Sequence, residues 1–220
     1  HSMHEGLTIL KSGAIPHEVI DKKMKKMQIE RISNELGDTL IFVEHRDIVT
    51  IGPRAIKSGI EIPKGYDSRK VDRGGSITWH GPGQLVVYPI IHWNKKDEKS
   101  VKLIISKLEN WVIAAFAELG IKGYRDERMM GVWVKEKKIC SIGLSFMKWV
   151  SRHGLSINLN TPPGRVETLE GCGLSQNITT SLAAIGHTTI TKEIMENALL
   201  NTVEKCLGRN ISIIKKIEDD

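Results

Sequence analysis

Aromatic residues are scarce at 5% of the chain, and no recognisable nucleic-acid-binding module accompanies them, which weighs against DNA or RNA as a partner. Cysteines number only three, an odd count in 220 residues. That excludes a disulfide scaffold and fits a reducing compartment, where each thiol is buried, bound or reactive. No apolar run approaches the length of a membrane span, and no h-region follows the N-terminus. Metal-ligand spacing is missing as well, with no Cys-x-x-Cys pair, no His-Glu-x-x-His and no tight Cys/His cluster. Internal repeats and low-complexity tracts are absent too. Together these absences predict a soluble, cytoplasmic protein with no metal, no bound cofactor, no membrane association and no nucleic-acid partner.

What is present is enough for a full core: 40% of the residues are hydrophobic. The length favours a single domain over residues 1–220, with His1-Ser2 before Met3 reading as a cloning remnant. The net charge of +6 comes from 32 basic against 26 acidic side chains, a balance that favours acidic partners.

Apolar spacing predicts an amphipathic helix from Pro16 to Leu36, through Val19, Ile20, Met24, Met27 and Ile32, with Gly37 as its stop. Strands follow at Thr39 to Val43 and Ile48 to Ile51, with His45 in the loop between them. Leu85 to Ile91 reads as a buried strand weakened by Pro89. A strongly apolar helix spans Val101 to Leu119. Short strands at Gly131 to Val134, Lys138 to Phe146 and Gly154 to Leu159 suggest an antiparallel hairpin region. A short helix at Thr179 to Ile185, a longer one at Thr191 to Leu207 and a strand at Asn210 to Lys216 complete the pattern. Grouped strands with helices before, between and after them predict an α+β fold with a mixed sheet flanked by helices.

The densest chemistry lies in Arg73-Gly74-Gly75-Ser76-Ile77-Thr78-Trp79-His80-Gly81-Pro82-Gly83-Gln84. Four glycines and a proline suit a backbone that must come close to something, at the mouth of the strand that follows. A second candidate is Cys172, placed between two glycines in a long polar loop from Asn160 to Gly173. A glycine-flanked loop thiol makes a better nucleophile than Cys206, which falls on a helix stripe, or Cys140, which reads as an inward strand residue. A cation beside Cys172 would favour the thiolate, and Lys138 is the candidate, although spacing alone makes it the third basic residue of an exposed turn. His80 and His153 could each serve as base, oxyanion donor or positioning residue.

These motifs resemble the lipoyl(octanoyl) transferase family over roughly residues 40–185. The glycine loop is similar to that family's Arg-Gly-Gly-x-x-Thr-aromatic-His-Gly-Pro-Gly-Gln signature at every fixed position. Lys138-Ile139-Cys140-Ser141-Ile142-Gly143 resembles its catalytic lysine motif, His153-Gly154-Leu155-Ser156 its downstream strand, and Gly171-Cys172-Gly173 its nucleophile loop. Two departures stand out: Gly171 where the family usually has proline, and Trp79 where tyrosine is common.

The resemblance implies a mixed, largely antiparallel sheet of the biotin/lipoate protein ligase type. It implies transfer of an octanoyl group from octanoyl-acyl carrier protein to a lysine of a lipoyl domain, as in 2-oxoacid dehydrogenase complexes or the glycine cleavage H protein. Cys172 and Lys138 would be catalytic, with His153 in support. Substrate would bind along Arg73, Gly74, Gly75, Ser76, Ile77, Thr78, Trp79 and His80, with Ser141, Ile142, Gly143, Gly154, Leu155 and Ser156. An ATP-dependent ligase of the same fold, which needs no cysteine, is the nearest alternative. A cysteine-based amidotransferase, a silent binding module and a nucleic-acid binder using the positive charge are the others.

Overall fold

A computed structural model of the chain describes residues 6–127, 129–169 and 176–217. Strand β1 (Leu7–Ile15) leads into helix α1 (His17–Ile32), then β2 (Asp38–His45), β3 (Ile48–Ile51), α2 (Pro53–Ser58), β4 (Ser68–Lys70), β5 (Ile77–His80) and β6 (Gln84–Ile90). There follow α3 (Val101–Glu118), β7 (Tyr124–Asp126), β8 (Met129–Val134), β9 (Lys137–Met147), β10 (Val150–Asn158), α4 (Lys192–Leu207) and β11 (Ile211–Lys216).

Eight strands form one sheet in the order β11-β1-β2-β6-β10-β9-β8-β7, and β4-β3-β5 form a smaller one. In the large sheet β1 pairs in parallel with β11 and with β2, and every other pairing is antiparallel. This is the mixed, largely antiparallel, helix-flanked sheet that the resemblance implies.

Alternation along the central strands feeds two cores, because successive side chains point to opposite faces. Leu40, Phe42, Leu85 and Val87 pack with Leu108, Trp111 and Val112 of α3 and with Met195 and Leu199 of α4. Ile41, Val43, Val86 and Ile90 pack instead with Ile20, Met24 and Met27 of α1. The small sheet has a core of its own around Val49, Ile77, Trp79 and Val166. Side-chain caps start the two helices of the first core: Ser100 accepts from Leu103 N at 3.1 Å and Thr191 from Ile194 N at 3.1 Å, each satisfying an amide that the helix itself cannot.

Several expectations need correction. Helix α1 ends at Ile32, before the predicted Gly37, because Asn34 takes the left-handed turn at φ 61°, a conformation asparagine tolerates. Its buried face also differs: Val19 is exposed, whereas His17, Asp21 and Gln28 are buried. His45 is no loop residue but the buried end of β2. Pro89 stays inside β6, opposite Leu40. The helix predicted at Thr179 to Ile185 shrinks to a 3-10 turn at Ala183–Ile185, because Thr179 is drawn into a bridge with Lys138. The glycine loop contains strand β5, which the density of glycine concealed. Cys206 is half-buried beside the first core.

Two hairpins place β9 between its neighbours. Lys135 and Glu136 (φ 47° and 67°) join β8 to β9, and Lys148 and Trp149 (φ 47° and 64°) join β9 to β10. Positive φ at both central residues matches the twist of paired strands. It costs on the order of 1–2 kcal/mol per residue without glycine, so pairing of the buried strands must hold these turns.

Candidate active site

The glycine loop lies across β9. Gly74 N donates to Leu144 O at 2.9 Å, and a Cβ on Gly143 would stand 2.5 Å from Gly74 O. Two motifs some seventy residues apart therefore meet here, and it is Gly143 that must lack a Cβ for the loop's backbone to pass. Arg73 braces this loop from within. Its Nη2 donates to Thr50 O at 3.0 Å, Thr50 Oγ1 at 2.7 Å and Ser76 O at 3.1 Å, and Nη1 donates to Gly74 O at 3.1 Å. With 6% exposure, its guanidinium serves backbone carbonyls as well as any guest.

Between the loop and the β8-β9-β10 region lies a cavity of about 330 Å³. Arg73 to His80, Ser141 to Gly143, Gly154 to Ser156, Lys138 and His153 all line it. Gln84, Tyr88, Met129, Asn158, Leu169 and Thr179 line it too, and sequence reasoning named none of these as site residues. Gln84 closes the glycine-loop signature and was legible there; Met129 carried no signal. Trp79 is buried, its indole N–H donating to Asp47 Oδ1 at 3.1 Å, while Arg165 holds the same carboxylate through two bonds at 2.8 and 2.9 Å. The aromatic position thus packs and hydrogen-bonds as an indole, with Arg165 tying the turns after Asn160 to the loop.

A relay of polar groups fixes the orientation of His80. Gln84 Nε2 donates to Trp79 O and to Asn158 Oδ1, both at 2.9 Å, so its Oε1 faces His80 Nδ1 at 2.8 Å. Nδ1 must then carry the proton, leaving Nε2 as a bare acceptor. Burial holds the imidazole well below its ordinary pKa, which makes His80 neutral at pH 7. Asn158 Nδ2 continues the relay to Thr180 O at 3.2 Å, and Thr180 N donates to Lys138 O at 3.0 Å.

Lys138 is buried, at 5% exposure, against the spacing-based reading of an exposed turn. Its backbone is held on both sides, by Ile178 O at 2.9 Å and Thr180 N at 3.0 Å, and its Nζ donates to Met129 Sδ at 2.8 Å. Cys140 is fully buried, and burial pushes its thiol up. Burial also raises the Cys206 thiol. Neither is suited to act as a thiolate. Cys172, with Gly171, lies outside the described residues.

His153 sits in β10 at φ 60°, an unusual conformation for a non-glycine residue and a strained one. Its Nε2 meets Arg152 Nη1 at 2.9 Å and Asp72 Oδ1 at 3.3 Å. Burial lowers its pKa to about 4. His17, His45, His80 and His153 crowd together beneath the cavity, the His17 ring stacked on His80 at 5.8 Å and on His153 at 6.3 Å. Among the described residues no three His, Cys, Asp or Glu side chains are arranged to hold a metal ion, nor is any helix long and apolar enough to cross a membrane.

Fold and cavity together define a catalytic domain of the lipoyl protein ligase class. The chain belongs to the lipoyl protein ligase A/B catalytic domain family, whose model matches residues 23–204. It is similar to proteins named octanoyltransferase. One from Caldanaerobacter subterraneus subsp. tengcongensis is 35% identical over 195 residues, covering 86% of this chain and 85% of the relative. Another from Bartonella bacilliformis is 31% identical over 218 residues, covering 93% and 89%. Among solved structures, lipoate-protein ligase A bound with ATP superposes with a TM-score of 0.68 at 14% identity, over 99% of this chain and 90% of that one. The putative lipoate protein ligase Ta0514 from T. acidophilum with bound lipoic acid gives 0.67 at 15% identity, over 99% and 91%. At such identities the likeness is one of fold.

Proposed function

We propose that the cavity is the acyl site of an octanoyltransferase that works through a cysteine thioester. The chain is an acyltransferase of protein lipoylation, moving an octanoyl group as its relatives' name states. Its acceptor is a lipoyl domain and its donor carries an activated acyl group. Our reading makes the donor octanoyl-acyl carrier protein. It makes the acceptor the lipoyl domain of a 2-oxoacid dehydrogenase complex or the glycine cleavage H protein.

The observation that carries the reading is the convergence of the glycine loop, Ser141 to Gly143, Gly154 to Ser156 and Lys138 on one cavity. Leu169 and Thr179 line it as well. Cys172 comes three residues after Leu169 in sequence, a separation that an extended chain covers in about 11 Å. Buried Lys138 supplies the cation that a thiolate needs in a low-dielectric setting.

The thiolate of Cys172 attacks the octanoyl carbonyl, and the carrier's thiolate leaves as the new thioester forms. The leaving sulfur takes a proton from the Lys138 ammonium. The acceptor lysine, as a free amine, then attacks the octanoyl-Cys172 thioester; an amide forms, the Cys172 thiolate leaves, and the amine's proton returns to Lys138. Protein and proton inventory are restored after each turnover. Backbone N–H groups of the cavity wall are suited to the oxyanion, because they need no reorganisation as charge develops. His80, neutral and fixed by Gln84, serves as an acceptor within that wall.

Incubation with octanoyl-acyl carrier protein is expected to leave one octanoyl group on the protein by intact-mass spectrometry, and Cys172→Ser to leave none. ATP-dependent turnover that survives this substitution would assign the chain to the ligases instead.

A further inference from the structure

The placement of the Lys138 side chain raises a question that its backbone pairing does not answer. Strand β8 runs beside β9 with a register irregularity between Val132 and Trp133. Just before it Gly131 adopts φ 137°, a conformation that L side chains rarely take. A Cβ there would collide with Cys140 O and stand 3.1 Å from Lys138 Cε. The alkyl chain of Lys138 therefore crosses β8 over a residue that has no side chain, and its Nζ arrives 2.8 Å from Met129 Sδ.

The crossing point is itself pinned. Gly131 N donates at 2.9 Å to Oε2 of Glu109, a carboxylate on α3 that is 6% exposed. The other oxygen, Oε1, lies 3.3 Å from Arg125 Nε. Glu109 thus holds Gly131 in place, and Gly131 sets the path along which the lysine reaches Met129.

The choice of acceptor matters for a group that must give up its proton and take it back. A carboxylate at this position would form an ion pair, favour the ammonium strongly and resist its deprotonation. A thioether accepts weakly, carries no charge and adapts its torsions. It can orient an ammonium without trapping the proton.

We infer that Met129, backed by Gly131 and Glu109, is a positioning residue for the octanoyl transfer reaction: its sulfur aims the Lys138 ammonium at the cavity while leaving the proton transferable. The inference rests on the reading of Lys138 as the proton carrier given above.

The test is steady-state octanoyl transfer by Met129→Leu, Met129→Gln and Lys138→Ala, with melting midpoints measured alongside. Met129→Leu keeps the bulk and removes the acceptor; kcat is expected to fall about tenfold with KM unchanged, the scale of a lost hydrogen bond to a charged group. Met129→Gln restores an acceptor oxygen at similar reach, and kcat is expected to return to within about threefold of the parent. If the leucine variant does not fold, Met129→Ala takes its place in the comparison. Parental kcat without the sulfur, or equal losses in the variants with and without an acceptor, would overturn the inference. An undiminished kcat in Lys138→Ala would instead overturn the reading beneath it, so the two failures are distinguishable.

Discussion

The large sheet meets α3 and α4 on one face and α1 on the other, and the two contacts differ in kind. Toward α3 and α4 the interior is largely apolar, with Phe42, Leu108, Trp111 and Leu199 fully buried and only Glu109, Glu196 and Thr202 as buried polar residues of the two helices. Toward α1 the strands bring Ile41 and Val86 but also His45 and Tyr88, and the helix answers Ile20 and Met24 with buried His17, Asp21 and Gln28. The same two-residue alternation supplies both faces. What separates them is the cavity: His80, Tyr88 and His153 line it, so the polar layer beneath the site is continuous with the site's own wall. One face contributes stability through apolar burial; the other spends some of it on fixed polar groups.

The sharpest way to break the comparison is on the apolar side. Trp111→Ala removes a fully buried indole and its bond to Leu199 O at 2.9 Å, and should cost about 3–5 kcal/mol in denaturant unfolding. A loss below about 1 kcal/mol would mean that this face can collapse around the gap.

A different kind of effect is expected from acid on the α1 side. His45 donates from Nδ1 to Ile15 O at 3.0 Å and accepts at Nε2 from the Tyr88 hydroxyl at 2.7 Å. Burial holds it neutral, with a pKa of about 4, and His153 behaves alike. Below pH 6.5 the unfolded chain takes up protons that these folded imidazoles refuse until about pH 4. Stability is therefore complete above pH 6.5, falls through that window, and loses on the order of 3 kcal/mol through His45 alone. Urea midpoints recorded from pH 7 to pH 4 should drift steadily downward; a flat profile would contradict neutral histidines in this layer.

The smallest effect marks where the α1 layer ends. Val19 belongs to the helix's apolar sequence pattern yet is exposed, so Val19→Lys should change stability by no more than about 0.5 kcal/mol. A larger loss would place Val19 in an interface.

Much of this was legible in sequence. The long apolar helices, the buried strands after β1 and the hairpin region follow from spacing, because a side chain's distance along the chain sets its face locally; β1 itself was not read. Four site segments were recognisable from motif order, and the structure gathers three of them, the glycine loop, the Lys138 segment and the His153 strand, around one cavity; the Cys172 segment lies outside the described residues. Elements shorter than about two turns or four residues were not legible, since α2, β4 and β7 carry too few positions for a period to register. Nor was the inward face of α1. Its polar residues are buried because partners on β2, β4 and β10 receive them, as when Arg69 Nη1 donates to Asp21 Oδ2 at 2.9 Å.

By itself the sequence determined the helix-flanked sheet, the glycine loop and the candidacy of Cys172 and Lys138, because periodicity, turn chemistry and motif spacing are local properties of a chain. Only the tertiary structure decided that Lys138 is buried rather than part of an exposed turn, that Gly143 is a glycine because the Gly74 carbonyl passes over it, and that a methionine sulfur stands at the end of the lysine. Each of these depends on contacts between residues distant in sequence or across neighbouring strands, and such contacts exist only once the sheet has closed around its cores.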